Sequence, residues 1–360
     1  MDAFFVACEL RRRPELRGKP VVVATGTDPR ARGVVMAASY EARRFGVHSA
    51  LPLAVAHRRC PEMVLVPRDI ALYRTESARV MEVLRSFSDR VEIAGLDEAY
   101  VDLSSSPAPR ARARQVKRAV RERTGLVCSI GLAPNKLLAK IASDLDKPDG
   151  LCVLEPERML EVVGDRPASI LPGVGPKTAE RLAGLGIRTV AELAATPVER
   201  LVDAFGPRHG RVLADLAQGR DRRELVTKRA PKSESRETTF ASNVSDPELL
   251  RSTLDRLAGS VCEGLREGGY EGRTVTLKIR LAPFRTHTRS RTLPTPVRDV
   301  DTVRTVAREL LADFPLDAPV RLIGVGVAGL TAAGGELERR PSRPDAPPAA
   351  EPLLLDVGQS

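Results

Sequence analysis

The chain has 360 residues, of which 42% are hydrophobic and 29% charged, so it is long enough for about two to four globular domains. Lysine and arginine number 57 against 47 acidic residues, and this net charge of +10 favours a polyanionic partner such as nucleic acid. No apolar run approaches the roughly 18 to 20 residues of a membrane helix, so the sequence predicts a cytoplasmic protein without a membrane span.

Strands and helices are expected to alternate in the N-terminal part of the chain. Residues 1–10 have the pattern of a strand end that runs into a helix, with Asp2 available as the N-cap, although no strand precedes them in the sequence. A buried strand is expected at 20–25, and a strand that feeds a helix at 34–47. A helix at 51–59, a strand at 63–67 and a helix at 71–87 follow.

Two adjacent carboxylates, Asp97 and Glu98, stand at the centre of the stretch 91–103. Apolar residues alternate on both sides of them, which predicts a hairpin of two half-buried strands with Val91 and Ile93 facing the core. Two carboxylates held a few ångströms apart repel unless a cation joins them, and hard oxygen ligands suit Mg²⁺. The alternative is that both are solvated turn residues. The cysteines and histidines are scattered, which disfavours a zinc site and favours buried thiols.

A basic helix is expected after the hairpin, at about 108–123, with seven arginines or lysines. A strand at 126–132 then leads into a helical segment within 134–144. Strands separated by crossing helices favour an α/β layer that extends to about residue 155.

The segment 170–187 has the pattern of a helix-hairpin-helix. Gly173 and Gly175 allow close approach of the backbone to a partner, and the amides that begin the next helix point at a phosphate together with Lys177. We interpret this segment as a contact with the DNA backbone; the alternative is an ordinary turn between two helices. The turn at 205–211 repeats the pattern more weakly.

A polar, basic stretch without apolar period covers 217–235 and reads as a linker. The sequence predicts a small α/β module beyond it, with helices at 246–267 and 299–312. Its strands are expected at about 236–240, 274–281, 285–292 and 320–328. From 332 the chain is rich in proline and is expected to be disordered, with leucines at 353–355 that could dock on a partner.

Cationic side chains follow the two middle strands of this module. Thr276, Lys278 and Arg280 share one face of the first strand, opposite its apolar side chains. On the second strand a row of cationic side chains shares one face, and like charges in such a row repel, so we expect DNA phosphates to contact them. The alternative is a solvated face. The row consists of Arg285, His287, Arg289 and Arg291.

Several motifs occur together in a fixed order: Asp2-Ala3-Phe4-Phe5, the segment 38–47, Leu96-Asp97-Glu98-Ala99-Tyr100, the segment 134–143, and Lys147-Pro148-Asp149-Gly150. With the helix-hairpin-helix and the basic module, they make residues 1 to about 330 resemble the Y-family translesion DNA polymerases, with the bacterial DNA polymerase IV group as the nearest members.

The resemblance implies a multidomain α/β and α+β fold, the right-hand polymerase with palm, fingers and helical thumb plus a little-finger domain. By the same resemblance, the chain divides into palm at 1–3 and 70–154, fingers at 4–69, thumb at 155–219, linker at 220–234, little finger at 235–331 and a disordered tail at 332–360.

The resemblance also implies the site. Asp97 and Glu98 are expected to be catalytic and to bind two Mg²⁺ ions for transfer of a nucleotide to a primer 3′-hydroxyl. Phe5 matches the aromatic steric gate that rejects a ribose 2′-hydroxyl. The residues expected to hold the triphosphate are Tyr40, Arg43 and Lys147.

The implied partners are primed double-stranded DNA, a dNTP and, through a degenerate motif at 351–356, the sliding clamp; the protein is expected to be a monomer.

One departure from the family pattern concerns the metal site. The family has a third metal-binding carboxylate on its first strand, immediately before the position of Met1, and Asp2 matches a different aspartate. Either the start of the chain is misassigned or truncated, or the chain is a catalytically impaired, polymerase-like DNA-binding factor. Because fewer carboxylates hold Mg²⁺ more weakly, we expect low or absent extension activity of the chain as given.

Two further classes stay open at this point. A purely structural DNA binder would have no nucleotide site, so nucleotide-dependent tightening on primed DNA that Arg43→Ala abolishes would argue against it. Another palm enzyme, such as a nucleotide cyclase, would keep the paired acids without needing the helix-hairpin-helix or the cationic row.

Overall fold

The structure is a computed structural model that describes residues 1–228 and 230–334. The described residues form two compact units, which divide between residues 228 and 229. Within the described residues, no helix combines the length and the apolar character that crossing a membrane requires.

The first unit begins with helix α1 (Phe4–Arg12) and a three-stranded sheet. Strand β1 (Val21–Ala24) lies between β2 (Val35–Ala38), which is antiparallel to it, and β3 (Val64–Pro67), which is parallel to it. Helices α2 (Tyr40–Arg43) and α3 (Leu53–Arg59) lie between β2 and β3 in the chain. Ser39 begins α2 by accepting a hydrogen bond from the amide of Ala42, which positions the candidate residues Tyr40 and Arg43 on one short helix.

The centre of the first unit contains two separate pairs of strands. Helix α4 (Ile70–Arg85) precedes the antiparallel hairpin of β4 (Val91–Ile93) and β5 (Ala99–Val101). Helix α5 (Pro109–Thr124) leads to β6 (Ile130–Leu132), helix α6 (Lys136–Leu145) and β7 (Leu151–Val153), and β6 is parallel to β7. The α/β layer that the sequence predicts is therefore present.

Two details of the N-terminal prediction are wrong. Helix α1 begins after Ala3, and Asp2 does not cap it. Asp2 instead accepts hydrogen bonds from the hydroxyl of Ser129 and the amide of Asp149, both at 2.9 Å. On β4, Val91 is buried as predicted, but Ile93 is 41% exposed while Glu92 is only 2% exposed, so these two residues are placed opposite to the prediction.

Short helices complete the first unit. They are α7 (Met159–Val163), α8 (Pro176–Gly184), α9 (Val190–Ala195), α10 (Val198–Phe205) and α11 (Pro207–Ala217). Their apolar side chains share one core with α6, which includes Leu137, Leu182 and Leu213. The same helix α6 therefore supports both the helical part and the central strands.

The second unit is a sheet covered by two helices. Strand order is β10-β9-β11-β8, with all neighbours antiparallel. The strands are β8 (Ser233–Val244), β9 (Tyr270–Leu281), β10 (Arg285–Val297), β11 (Val320–Ala328) and the short β12 (Thr331–Ala332), which pairs with β9. Helices α12 (Pro247–Gly268) and α13 (Val300–Ala312) pack on one face of the sheet, where they form a core of their own.

Candidate active site

The turn between β4 and β5 holds the two candidate catalytic acids. The amides of Ala94 and Gly95 both donate to the carbonyl oxygen of Glu98, at 3.0 and 3.1 Å, and so close the turn. The side chain of Asp97 is half-buried and that of Glu98 is exposed. The backbone nitrogen of Met1 donates to the carbonyl oxygen of Asp97 at 2.7 Å, which joins the chain before α1 to the same turn.

A row of alternating charges continues from Glu98 along helix α6. The ammonium of Lys140 lies 2.5 Å from the carboxylate of Glu98 and 3.2 Å from that of Asp144. Asp144 in turn pairs with Lys147 at 2.5 Å. Burial favours a raised pKa for Asp144, but Lys147 and Lys140 outweigh it and hold the pKa below its ordinary value. Both lysines therefore have a carboxylate partner beside the acid turn.

A cavity of about 620 Å³ brings these groups together. Asp97 and Glu98 line it, and so do Lys140 and Lys147. Sequence reasoning gave no role to Lys140, although its spacing of four residues from Asp144 on one helix is a signal for such a pair. Phe5, Tyr40 and Arg43 do not line this cavity in the described part of the chain.

The ring of Phe5 has aromatic and apolar contacts within the first unit. It stacks on Tyr73 of α4, with ring centroids 4.4 Å apart and an interplanar angle of 24°. Phe5 and Leu96, the residue before Asp97, pack against the same apolar core. Both residues thus belong to one core, and the expected position of Phe5 near the carboxylates stays a prediction.

Tyr40 and Arg43 form a small unit at the start of α2. The guanidinium of Arg43 lies 4.5 Å from the centroid of the Tyr40 ring. Burial, followed by the negative charge of Asp2, raises the pKa of the Tyr40 hydroxyl, and Asp144 contributes in the same direction. The Tyr40 hydroxyl is buried and makes no hydrogen bond of ordinary geometry among the described residues, although the Arg43 guanidinium lies near enough to oppose the rise in its pKa. An unpartnered buried hydroxyl is costly, which favours a polar ligand at this point.

The glycines of the predicted helix-hairpin-helix stand where the prediction requires them. Gly173 has a φ of +96°, in the left-handed region that favours glycine, and Gly175 is the N-cap of α8. A Cβ atom at either glycine would meet no atom within 4 Å, so the surface in front of the helix start is open. Lys177 is exposed in the first turn of α8. The arrangement is compatible with the contact to a phosphate that the sequence predicts.

The cationic strands of the second unit present their charges on opposite faces of the sheet. Lys278 pairs in register with Thr288, and Arg280 with Thr286, so these residues share a face. This face is opposite to the buried side chains of β9 and carries the hydroxyl groups of both strands. Those hydroxyl residues are Thr274, Thr276, Thr286, Thr288, Ser290 and Thr292.

The row on β10 lies on the other face, next to helix α13. Arg285 makes two hydrogen bonds of 2.9 Å to Asp317, and Arg291 pairs with Glu309. His287 packs edge-on against Phe314, and the Arg289 guanidinium lies 5.8 Å from the same ring. Carboxylates of the same unit therefore relieve the repulsion at Arg285 and Arg291 without an external anion, and the contact of this row with DNA phosphates stays a prediction.

Comparison with protein families gives three matches along the chain. Residues 1–144 match the impB/mucB/samB family, and residues 231–338 match the C-terminal domain of that family. Residues 169–221 match the model described as DNA polymerase-iota, thumb domain.

Relatives of known name cover nearly the whole chain. A protein named DNA polymerase IV from Methanoculleus marisnigri is 46% identical over 336 residues, which are 92% of this chain and 92% of the relative. A second DNA polymerase IV, from Alkalilimnicola ehrlichii, is 43% identical and covers 92% of this chain and 93% of its own length.

Solved structures give the same result. A Y-family DNA polymerase chimera of Dbh and Dpo4 superimposes with a TM-score of 0.82 at 27% identity and covers 91% of this chain and 96% of its own. The insertion ternary complex of Dbh DNA polymerase has a TM-score of 0.62 at 26% identity, with the same coverage. The chain therefore belongs to the Y family of DNA polymerases, the metal-dependent nucleotidyltransferases of translesion DNA synthesis.

Proposed function

We propose that this chain extends a primer on template DNA, with Asp97 and Glu98 as the ligands of two Mg²⁺ ions and Lys140 and Lys147 beside the incoming triphosphate. The observation that supports it best is the cavity in which two adjacent acids meet a row of alternating charges on α6. Acids suit a cation and lysines suit phosphate oxygens, so one cavity offers both parts of a metal–nucleotide complex.

The donor set fits a cation that binds together with phosphates. No group of three or more His, Cys, Asp or Glu side chains placed to hold a metal occurs among residues 1–228 and 230–334. Mg²⁺ in phosphoryl-transfer sites is commonly held by one or two carboxylates plus substrate phosphates and water, which matches two acids on an open turn. When bound there, Mg²⁺ would stabilise charge on the transferred phosphoryl group and lower the pKa of the attacking hydroxyl.

The residues of the chain itself would bind and orient the nucleotide. The guanidinium of Arg43 and the unpartnered hydroxyl of Tyr40 can each donate a hydrogen bond to phosphate oxygens. The Phe5 ring would face the sugar and exclude a ribose 2′-hydroxyl by steric clash. Since the relatives named above are polymerases, the comparison favours the enzyme over a catalytically impaired accessory factor.

Primed DNA would contact two further surfaces. One is the start of α8, with Gly173, Gly175 and Lys177 at the DNA backbone. The other is the open face of the sheet in the second unit, with Lys278, Arg280 and the hydroxyl groups beside them. The proposed clamp contact at 351–356 lies outside the described residues, and the monomeric state stays a prediction.

Single-nucleotide primer extension tests the roles of the acids. We expect Asp97→Asn and Glu98→Gln each to lower kcat by roughly a hundredfold or more, because loss of a metal ligand removes several kcal/mol of transition-state stabilisation. Affinity for primed DNA should stay within about twofold of the unchanged protein, since neither acid is placed at a DNA surface. Glu161→Gln on α7, an acid paired with Arg158, is the matched control. Unchanged kcat in both acid variants would contradict the proposal.

The contact between Met1 and Asp97 suggests a second test. Any residue joined to the nitrogen of Met1 would lie beside the acid turn. We expect a chain that carries a short apolar strand ending in Asp before Met1 to extend primers faster than the chain that begins at Met1, because a third carboxylate strengthens the cation site. The same strand ending in Asn is the control. Equal, robust extension by all three chains would remove the need for this carboxylate.

A further inference from the structure

A continuous set of contacts supports the ring of Phe5 from behind. Phe5 stacks on Tyr73, whose side chain is fully buried, and the Tyr73 hydroxyl donates to Glu9 at 3.0 Å. Glu9 is also fully buried and accepts a second hydrogen bond, from Arg12, at 2.8 Å. Arg12 completes the set by pairing with Asp69 at 2.9 Å, and Asp69 is the N-cap of α4.

The geometry of the two helices explains why these contacts act on one ring. Phe5, Glu9 and Arg12 are spaced by four and three residues on α1, so they lie along one face of the helix. Tyr73 is in the first turn of α4, directly after the Asp69 cap. The hydrogen bond at the far end of the Tyr73 side chain therefore restrains the position and tilt of the ring on which Phe5 stacks.

A buried carboxylate at position 9 fills the core at a higher cost in free energy than an apolar side chain would. A buried charge loses solvation, and replacing buried polar pairs with well-packed apolar residues is often neutral or stabilising. An apolar residue at 9 with phenylalanine at 73 would fill similar space without any hydrogen bond to satisfy. What the polar pair adds is direction, because a hydrogen bond at 3.0 Å holds the hydroxyl end of Tyr73 in place and so restrains the tilt of its ring.

We propose that Glu9 is a positioning residue for sugar selection: its hydrogen bond to Tyr73 holds the ring that backs Phe5, and so keeps Phe5 firm against a ribose 2′-hydroxyl. Rejection of a substrate by steric clash requires a wall that does not move, since a ring that yields would admit the extra oxygen atom. The inference rests on the proposed function in one respect, the role of Phe5 as the residue that faces the sugar.

The test is the ratio of dNTP to rNTP affinity in the complex with primed DNA. A primer that ends in a dideoxynucleotide prevents extension, so binding is measured without chemistry. We expect Tyr73→Phe, which keeps the ring and removes the hydroxyl, to lower the ratio by roughly fivefold to tenfold, chiefly by tightening rNTP binding. Glu9→Leu should do the same, whereas Glu9→Gln, which keeps a carbonyl acceptor of the same size, should retain most of the ratio.

Two controls separate positioning from general stability. Val66→Ala removes buried volume from the same apolar core and leaves both rings and the Tyr73–Glu9 hydrogen bond in place, so it should lower Tm while the ratio stays unchanged. In a Phe5→Ala background, which lowers the ratio by itself, Tyr73→Phe should add nothing, because the ring that it positions is gone.

The outcomes distinguish a failure of the proposed role of Phe5 from a failure of the positioning role of Glu9 and Tyr73. If Phe5→Ala leaves the ratio unchanged, the proposed role of Phe5 fails. If Phe5→Ala lowers the ratio but Tyr73→Phe does not, the role of Phe5 stands and the positioning role of Glu9 and Tyr73 is overturned. An equal effect of Tyr73→Phe with and without Phe5 overturns it as well, since the effect would not pass through Phe5.

Discussion

The thiol of Cys8 lies in the interior of the first unit, one residue before Glu9 in the chain. Burial first, and then the negative charge of Glu76, raise its pKa to about 12. Burial likewise raises the pKa of Cys128 and of Cys262 to about 11. Only Cys152 among the five cysteines is partly exposed. Burial raises the pKa of Cys152 as well, so its accessibility is what singles it out among the five thiols.

We therefore expect a thiol reagent at pH 8 to modify Cys152 well before the other cysteines of the native protein. Counting modified thiols over time by mass spectrometry checks this, and unfolding in urea should make all five react. Cys152→Ser should remove the fast phase. Rapid modification of Cys8 in the native protein would contradict the burial described here.

The ionised side chain of Asp149 makes a small contribution to the stability of the protein, and this contribution is lost in acid. A hydrogen bond from Lys117, followed by the charges of Lys117 and Arg121, outweighs burial and holds the pKa of Asp149 below its ordinary value. A carboxylate whose pKa is lowered by folding contributes stability above its unfolded pKa, near 4 for Asp, and loses it as the pH falls through the folded value.

We expect Asp149→Asn to lower the free energy of unfolding by roughly 0.5 to 1 kcal/mol at pH 7, a modest value because the side chain is 40% exposed. The difference from the unchanged protein should disappear below about pH 3. Urea denaturation between pH 3 and 7 measures it, with Asp203→Asn on α10 as the control. A difference that grows on acidification would refute the assignment.

Strand β4 shows how the contacts of a single residue can make a prediction from the sequence pattern wrong. Alternation predicts Ile93 in the core and Glu92 in solvent, and the structure has the reverse. Glu92 is buried because it pairs with Lys136 at 2.8 Å and accepts from the amide of Val226 at 2.9 Å. Both partners are distant in sequence, so local periodicity carries no information about them.

At the scale of elements, the start of α6 holds the segment that follows α11. Asn135 donates to the carbonyl of Gly219, and the amide of Leu137 donates to Asp221. The ammonium of Lys136 contacts both Glu92 and the carbonyl of Glu224. The N-terminus of one helix thus binds residues 219–224 to the strand that precedes the acid turn.

Breaking this contact should be costly. We expect Lys136→Met to lower the free energy of unfolding by about 3 kcal/mol, because it leaves the charge of Glu92 buried without a cation. Adding Glu92→Gln should recover part of the loss, since no buried charge remains. Arg158→Met, which breaks the exposed pair with Glu161, should change stability by less than about 1 kcal/mol. Equal losses for Lys136→Met and Arg158→Met in urea denaturation would show that the buried pair stabilises the protein no more than the exposed pair does.

The two faces of the sheet in the second unit provide a matched comparison for DNA binding. Strand period predicts which residues share a face, and it does so correctly for β9 and β10. It does not tell which face the helices cover, because that depends on the packing of α12 and α13. The cationic row on β10 was therefore expected at the DNA surface, whereas two of its three arginines lie next to carboxylates of the same unit.

We expect Lys278→Ala with Arg280→Ala to weaken binding of primed DNA and to reduce the slope of log Kd against log salt by about 1 to 2, since up to two phosphate contacts are lost. Arg285→Ala with Arg291→Ala removes the same charge from the other face and should change the slope by less than half as much. Binding titrations at several salt concentrations measure both. A larger effect of the second pair would reverse the assignment of faces.

At the scale of the whole molecule, each unit has apolar cores of its own. The core of the second unit is built from residues between Val244 and Val327, and it contains side chains of both helices and of the sheet. A core that closes within one unit is the physical requirement for independent folding.

We expect residues 230–334 expressed alone to fold and to unfold in one cooperative transition, followed by circular dichroism on heating. Leu277→Ala should lower the stability of this fragment by about 2 to 5 kcal/mol, because Leu277 is 1% exposed in the core. A fragment without a cooperative transition would show that its core needs the rest of the chain.

Most of the order of elements could be predicted, because the apolar periods of the long helices are strong. Helix α12 was expected at 246–267 and lies at Pro247–Gly268, and β11 lies where it was expected. Strand β8 was expected to be short and preceded by a linker that reached 235, yet it extends over Ser233–Val244. The polar side chains of β8 give no strand pattern in the sequence. This segment is a strand because it pairs with β11, and not because of its own composition.

The ion pair between Lys140 and Glu98 has one further consequence. The ammonium already serves as counter-ion to the acid turn, so the protein without nucleotide does not present two bare negative charges. A divalent ion that arrives without a nucleotide would have to displace Lys140 from Glu98 to gain a second carboxylate ligand. This competition disfavours metal binding before the nucleotide binds. A bound triphosphate gives Lys140 another anion to pair with. Glu98 therefore leaves its ion pair with Lys140 most readily when a nucleotide is present.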